Sequence, residues 1–236
     1  MVQPPDGGRA LGDVLFTFPD LGMWGVAFRG AEFWGVNSST LNQLNPDTGA
    51  LIGTLTITPS VNGAGFGYDA SRGLFLVTDP GPDVIYMVNE TTGAVASSYP
   101  SPGSGPVGIA HDTLRDGYWV TDFATASIDL VNPTTGAVVG GCTPLPAGID
   151  NIAGAAYSSD NDRLIFNSRG NGTTYIVEAA DCSLVASFPT PGGWGNGVAI
   201  RPSALTIYLR DFPYGLIQVI DSGGLLPVEL ETLEIE

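Results

Sequence analysis

The sequence predicts an all-β fold, a five-bladed β-propeller of four-stranded antiparallel blades whose ring is closed by an N-terminal outer strand. Three observations carry that expectation. Short apolar runs recur throughout, bounded by Asp, Asn, Pro, Thr or Gly, and none has a helical period. A glycine-led phrase returns five times, at Gly25, Gly65, Gly108, Gly154 and Gly197, with spacings of 40, 43, 46 and 43 residues that suit one blade per repeat. Glycine (33) and proline (18) are abundant while charged residues make up only 14%, as turn-rich β structure requires.

Taken in order, the chain opens with a Pro- and Gly-rich linker, residues 1–12, ahead of a propeller spanning 13–221. Val14-Leu-Phe-Thr-Phe-Pro-Asp-Leu-Gly-Met-Trp-Gly matches Leu184-Val-Ala-Ser-Phe-Pro-Thr-Pro-Gly-Gly-Trp-Gly almost step for step, so it reads as a fourth strand without a blade. First strands follow as Gly25-Val-Ala-Phe, Gly65-Phe-Gly-Tyr, Gly108-Ile-Ala-His, Gly154-Ala-Ala-Tyr and Gly197-Val-Ala-Ile. Second strands begin at Phe33, Phe75, Tyr118, Ile165 and Ile207 and end at Asn37, Asp79, Asp122, Arg169 and Asp211. Third strands, such as Ile128-Asp-Leu-Val, lead into a turn phrase, Asn45-Pro-Asp-Thr-Gly, Asn89-Glu-Thr-Thr-Gly or Asn132-Pro-Thr-Thr-Gly, whose glycine supplies a positive φ. The fourth copy has Cys182 in that glycine's place, so its hairpin is expected to turn differently. The fifth copy lacks a fourth strand. The N-terminal strand is the favoured partner, because pairing it there hides an open sheet edge, and Gly224-Leu-Leu-Pro-Val-Glu-Leu is its rival. Residues 222–236 form an acidic tail or strand.

Charge excludes two classes of partner. The chain carries 24 acidic residues against 8 basic ones, all arginine, for a net charge of -16. No Lys/Arg cluster exists to displace counterions from a phosphate backbone, which excludes nucleic acid. No apolar run approaches the length of a membrane span, and an anionic bilayer surface would repel the chain. The opening residues lack a basic stretch followed by an apolar one, and the lysine-free composition suits a mature extracellular or cell-surface segment. Cys142 and Cys182 fall in the outer parts of adjacent blades, where they either form a disulfide or remain two small buried apolar residues.

Propeller geometry gathers the second-strand ends around one mouth of the central channel. Asn37, Asp79, Asp122, Arg169 and Asp211 belong there, joined by Asn62, Asp150, Asn151, Asn196, Trp24 and Trp194 from the loops that lead into each blade. Asp79, Asp122 and Asp211 with the amides of Asn151 and Asn196 would form an oxygen cage for Ca²⁺. Trp24 and Trp194 beside Asn and Asp would instead stack on a sugar. A third reading has the same Asp and Asn bonding to their own turns. His111, the single histidine, occupies the place of Phe28, Tyr68, Tyr157 and Ile200 in the other copies, at the opposite end of the channel, and reads as packing.

The phrases Gly108-Ile-Ala-His-Asp, Tyr118-Trp-Val-Thr-Asp and Ile128-Asp-Leu-Val-Asn-Pro-Thr-Thr-Gly resemble the NHL and YVTN types of β-propeller repeat, and the resemblance runs over residues 13–221. That broad group includes streptogramin lyases and gluconolactonases, enzymes with a metal or a histidine at the ring mouth. Gly25-Val-Ala-Phe and Phe33-Trp-Gly-Val-Asn-Ser-Ser-Thr are also similar to the first blade of plant-type glutaminyl cyclotransferases, although Gly35 and Val36 stand near the place of their acidic catalytic residue. No acid, base or nucleophile set emerges. The expected function is therefore a non-catalytic extracellular module for binding or self-assembly within a surface protein or filament. A lyase, lactonase or cyclotransferase with a metal at the mouth, and a glycan-binding lectin, are the alternatives.

Overall fold

A computed structural model describes residues 10–142, 145, 148–202 and 206–224. The described residues form twenty strands and no helix, so none contains a helix long and apolar enough to cross a membrane. Blade 1 is β2 (Gly25–Arg29), β3 (Glu32–Asn37), β4 (Thr40–Leu44) and β5 (Leu51–Thr56). Blade 2 is β6 (Gly65–Asp69), β7 (Leu74–Asp79), β8 (Val84–Asn89) and β9 (Val95–Pro100). Blade 3 is β10 (Pro106–Asp112), β11 (Gly117–Asp122), β12 (Ser127–Val131) and β13 (Val138–Gly141). Blade 4 is β14 (Ile152–Ser158), β15 (Arg163–Ser168), β16 (Thr173–Glu178) and β17 (Leu184–Pro189). Blade 5 joins β18 (Gly195–Ile200), β19 (Thr206–Asp211) and β20 (Leu216–Asp221) to β1 (Val14–Pro19) from the other end of the chain.

Each blade buries its faces against the next. Leu76, Ile85 and Met87 of blade 2, for example, pack with Ile109, Tyr118 and Val120 of blade 3 in one continuous cluster. The inner strands come closest at the five repeat glycines. A Cβ on Gly108 would lie 2.6 Å from the carbonyl carbon of Gly154, and one on Gly25 would lie 2.5 Å from the Phe66 nitrogen. Only a residue without a side chain permits this backbone-to-backbone approach. These glycines line a constriction with no space for water. The channel is thereby split into a chamber beside Trp24, Ala64 and Val107, which precede the glycines, and a chamber of about 190 Å³ beside Phe28, Tyr68 and His111, which follow them.

Ring closure copies a hairpin. In blade 3 the Gly136 amide donates to the Asn132 carbonyl (2.9 Å) and the Asn132 amide to the Ala137 carbonyl (2.8 Å). In blade 5 the Gly12 amide donates to the Asp221 carbonyl (3.1 Å) and the Asp221 amide to the Asp13 carbonyl (3.0 Å), so the same turn is made by two ends of the chain. Gly12 has the positive φ of a turn glycine, 92°. The expected N-terminal strand does fill the gap, and the rival segment beyond Gly224 lies outside the described residues.

Two expectations are corrected. Cys182 does not turn differently: it takes a φ of 61°, and its amide bonds the Glu178 carbonyl at 2.8 Å, as Gly49, Gly93 and Gly136 bond theirs. The reason lies in the neighbouring blade. At two other junctions the turn glycine tucks beneath a fourth-strand side chain of the preceding blade, Gly136 beneath Tyr99 and Gly49 beneath Phe18, while Gly93 meets the Thr56 carbonyl. At the third junction Cys142 holds the place of Tyr99 and is bonded covalently to Cys182, so a disulfide replaces the ring-on-glycine contact. The second correction concerns register. Asp79, Asp122 and Asp211 each pair with the residue five places on, and in blade 4 the residue that does so is Ser168. Arg169 therefore lies one place beyond the second-strand end, where the other blades have Pro80, Phe123 and Phe212. Leu164, Ile165 and Phe166 are all apolar, so hydrophobicity alone leaves that strand's phase open by one residue.

Candidate functional site at the channel mouth

The strand-end carboxylates are buried and bind backbone. Asp79 accepts from the Asn62 amide (2.8 Å) and the Gly81 amide (3.0 Å). Asp122 accepts from the Gly105 amide (2.7 Å), the Ala124 and Thr125 amides, and the Thr125 hydroxyl. Each clasps the loop that leads into its own blade to the turn after its second strand. Ser168 makes the same clasp with reversed polarity, donating to the Asp150 carbonyl at 2.7 Å. Asp211 accepts from Gln218 Nε2 (2.7 Å), and burial pushes its pKa up. Among the described residues no three His, Cys, Asp or Glu side chains converge as metal ligands. Asn151 enters this region through its backbone, its carbonyl accepting from the Arg169 amide at 3.0 Å. Asn37 lies against Gly22, where a Cβ would sit 3.0 Å from Nδ2.

What the mouth does gather is aromatic and cationic. Trp24 lies 5.3 Å from Phe212, and Phe212 lies 6.4 Å from Trp194 in a stacked arrangement. Trp24 (39% exposed), Trp194 (49%) and Phe123 (36%) present large ring areas to solvent. The Arg169 guanidinium sits over Phe123 (5.2 Å), Trp194 (5.4 Å) and Phe212 (5.4 Å). Arg210 lies beneath, over Trp24 (5.3 Å) and Phe212 (5.0 Å), and donates to the buried Asp20 carboxylate at 2.6 Å. Burial and the Arg210 charge pull the Arg169 pKa down, the mark of a cation held out of water beside another cation. Asn196 is buried, and its Nδ2 has no acceptor among the described residues.

Arg169 forms the common wall of two spaces. One is a small cavity of about 90 Å³ shared with Trp24, Ala64, Pro80, Val107 and Asn196. The other is an open groove of about 520 Å³ between blades 4 and 5, floored by Gly170, Gly172, Gly192 and Gly193 and walled by Trp194. The expected Trp24, Trp194, Arg169 and Asn196 are thus brought together, whereas Asp79 and Asp122 bind the loops around them, Asn37 lies against Gly22 and Asp211 is held by Gln218. Phe123, Phe212 and Arg210 escaped the sequence reading. The signal for the two phenylalanines was the position just after each second strand, which is legible only once the register of blade 4 is set correctly, whereas Arg210 lies within β19.

His111 lies in the other chamber, as its place in the repeat implied. Its ring packs edge-on against Tyr118, with Nδ1 3.4 Å from Asp69 and Nε2 3.6 Å from Asp116.

No protein-family model matches the chain, and no curated protein matches it. Solved structures do. Glutaminyl cyclase from Myxococcus xanthus aligns with a TM-score of 0.70 at 14% identity, covering 90% of this chain and 99% of that one. The β-propeller domain of Cps50 (Swd1) from Myceliophteria thermophila aligns at 0.55 with 10% identity, covering 89% and 99%. A chain of a nidogen/laminin complex aligns at 0.56 with 13% identity, covering 80% and 72%. These likenesses extend to the propeller fold and leave activity open.

Proposed function

We propose that the chain is a non-catalytic recognition module of an exported protein, holding a saccharide on the aromatic mouth of its ring. The run of rings from Trp24 through Phe212 to Trp194 carries the reading. Partly open to solvent and contacted by Arg210, it is an apolar ring surface, stacked between Phe212 and Trp194 and tilted at Trp24, of the kind that packs on a sugar face. The NHL- and YVTN-like repeat and the disulfide between blades 3 and 4 support an extracellular setting.

The enzyme alternative draws on the likeness to a glutaminyl cyclase. Asp79 and Asp122 are committed to loop amides, which supports binding over it, while Asp211 accepts from the Gln218 amide instead. In this reading the ring is closed within one chain, with β1 paired to β20.

Titration of tryptophan emission against a panel of oligosaccharides tests the proposal. Quenching by at least one sugar is expected, weakened about tenfold in Trp194→Ala with melting unchanged. If no sugar alters the emission, or if Trp194→Ala binds as tightly as the parent, the reading is wrong.

A further inference from the structure

We infer that the mouth selects a carboxylate-bearing saccharide, with the Arg169 guanidinium and the Asn196 amide receiving the carboxylate of a uronic acid residue while its ring lies on Trp194. The inference rests on the saccharide reading above and names the ligand class within it.

Six of the seven described arginines face a carboxylate. Arg29 pairs with Glu32, Arg72 with Asp116, Arg115 with Asp162, Arg163 with Glu178, Arg201 with Asp47 and Arg210 with Asp20. In a chain with 24 acidic residues, Arg169 is the exception among the described residues, making ring contacts and no ion pair. A half-buried cation without an anion is unfavourable unless something else meets it, and ring faces compensate only in part. A guanidinium whose flat face is covered keeps its edge donors for a planar, two-oxygen acceptor. Asn196, whose buried Nδ2 has no acceptor among the described residues, lines the same small cavity and supplies a further donor. Space supplies the third argument. Gly170, Gly172, Gly192 and Gly193 add no side chains of their own to the adjoining groove, which Asn171, Trp194 and Pro213 also line and where the Asp150 and Asp211 carboxylates lie against Gly170 and Gly192, so the room for a sugar ring is on Trp194 beside a guanidinium that is itself 5.4 Å from that indole.

The test is calorimetric titration of the intact chain with galacturonate, glucuronate and mannuronate trimers, each beside its methyl ester, with a neutral and a sulfated trimer alongside. At least one free acid should bind about tenfold tighter than its ester, since esterification keeps the ring and removes the charge. Arg169→Gln should erase that difference without moving the melting temperature, and Asn196→Asp should reverse it by placing a negative charge against the ligand. Equal binding of acid and ester, tighter binding of the sulfated trimer, or binding of neutral sugars alone overturns carboxylate selection and leaves the saccharide reading standing. If no sugar of any kind binds, both fall.

Discussion

Cys182 holds a left-handed backbone conformation that glycine adopts at the equivalent place in three other blades, and its bond to Cys142 keeps it there. Left-handed φ in an L-residue costs about 1 kcal/mol, whereas closing a loop of 40 residues contributes about 3–4 kcal/mol by the chain-entropy model. Replacing both cysteines should therefore destabilise the fold, with Cys142→Ser/Cys182→Gly about 1 kcal/mol more stable than Cys142→Ser/Cys182→Ser in urea denaturation. Asp122 shows the other residue-scale device, a buried carboxylate whose two oxygens accept from three amides and a hydroxyl. Asp122→Ala strands those donors, and a loss of about 2–4 kcal/mol is expected from the same measurement. A loss under 1 kcal/mol would show that the clasp is unimportant.

At the scale of the element, the inner strands are spaced by their glycines. A Cβ on Gly108 meets Thr121 Oγ1 and also the Gly154 and Ala155 backbone at 2.6 and 2.7 Å, so moving the threonine side chain would not relieve the clash. Gly108→Val should then forfeit more than about 3 kcal/mol or fail to fold. Gly53, on the outer strand β5, meets nothing nearer than Gln43 Oε1 at 3.8 Å, so Gly53→Ala should be neutral or slightly stabilising. Comparable tolerance at both sites by thermal melting would refute the close-approach explanation. The outer strands are less committed: β13 is exposed along its whole length, with Val138 and Val139 on the surface.

For the whole molecule, ion pairs link successive blades on the His111 side of the ring. The Arg72 fork bonds Asp116 of the next blade twice at 2.7 Å, and the Arg115 fork bonds Asp162 twice at 2.6 Å. Arg72 holds the Asp116 carboxyl below its ordinary range, and Arg115 does the same for Asp162. For Asp69 burial pushes upward, but hydrogen bonds from Ser71, Tyr118 and Arg72 prevail and its pKa is lowered. A carboxyl with a depressed folded pKa contributes stability above its unfolded value, about 3.9, and the contribution is lost as pH falls through the folded value. The difference in urea midpoint between the parent and Arg115→Gln should accordingly be present at neutral pH and shrink as the pH falls below the unfolded carboxyl value of about 3.9. An unchanged difference would mean that Arg115 acts through packing alone. Closure by a split hairpin makes a second global prediction. Joining Asp221 to Gly12 with a Pro-Thr-Thr turn, as in Asn132 to Gly136, and opening the chain at the exposed loop around Leu114 should preserve the fold, judged by circular dichroism and melting.

Repetition is a property of the one-dimensional chain, so the number of blades, their strand order and the match between Val14-Leu-Phe-Thr-Phe-Pro and Leu184-Val-Ala-Ser-Phe-Pro were all legible in the sequence. The placement of His111 away from the mouth followed from the same alignment. The site was only half legible. Trp24, Trp194, Arg169 and Asn196 stood out by residue type, but whether Asp79 and Asp122 face a ligand or their own loops depends on amides 17 residues away in sequence. The pairing of Cys142 with Cys182 and the register of β15 depended likewise on contacts between separate strands. Local composition specifies which segments become strands, while the direction a polar group faces is decided by what the neighbouring blade leaves unbonded, and that is determined only when the ring closes.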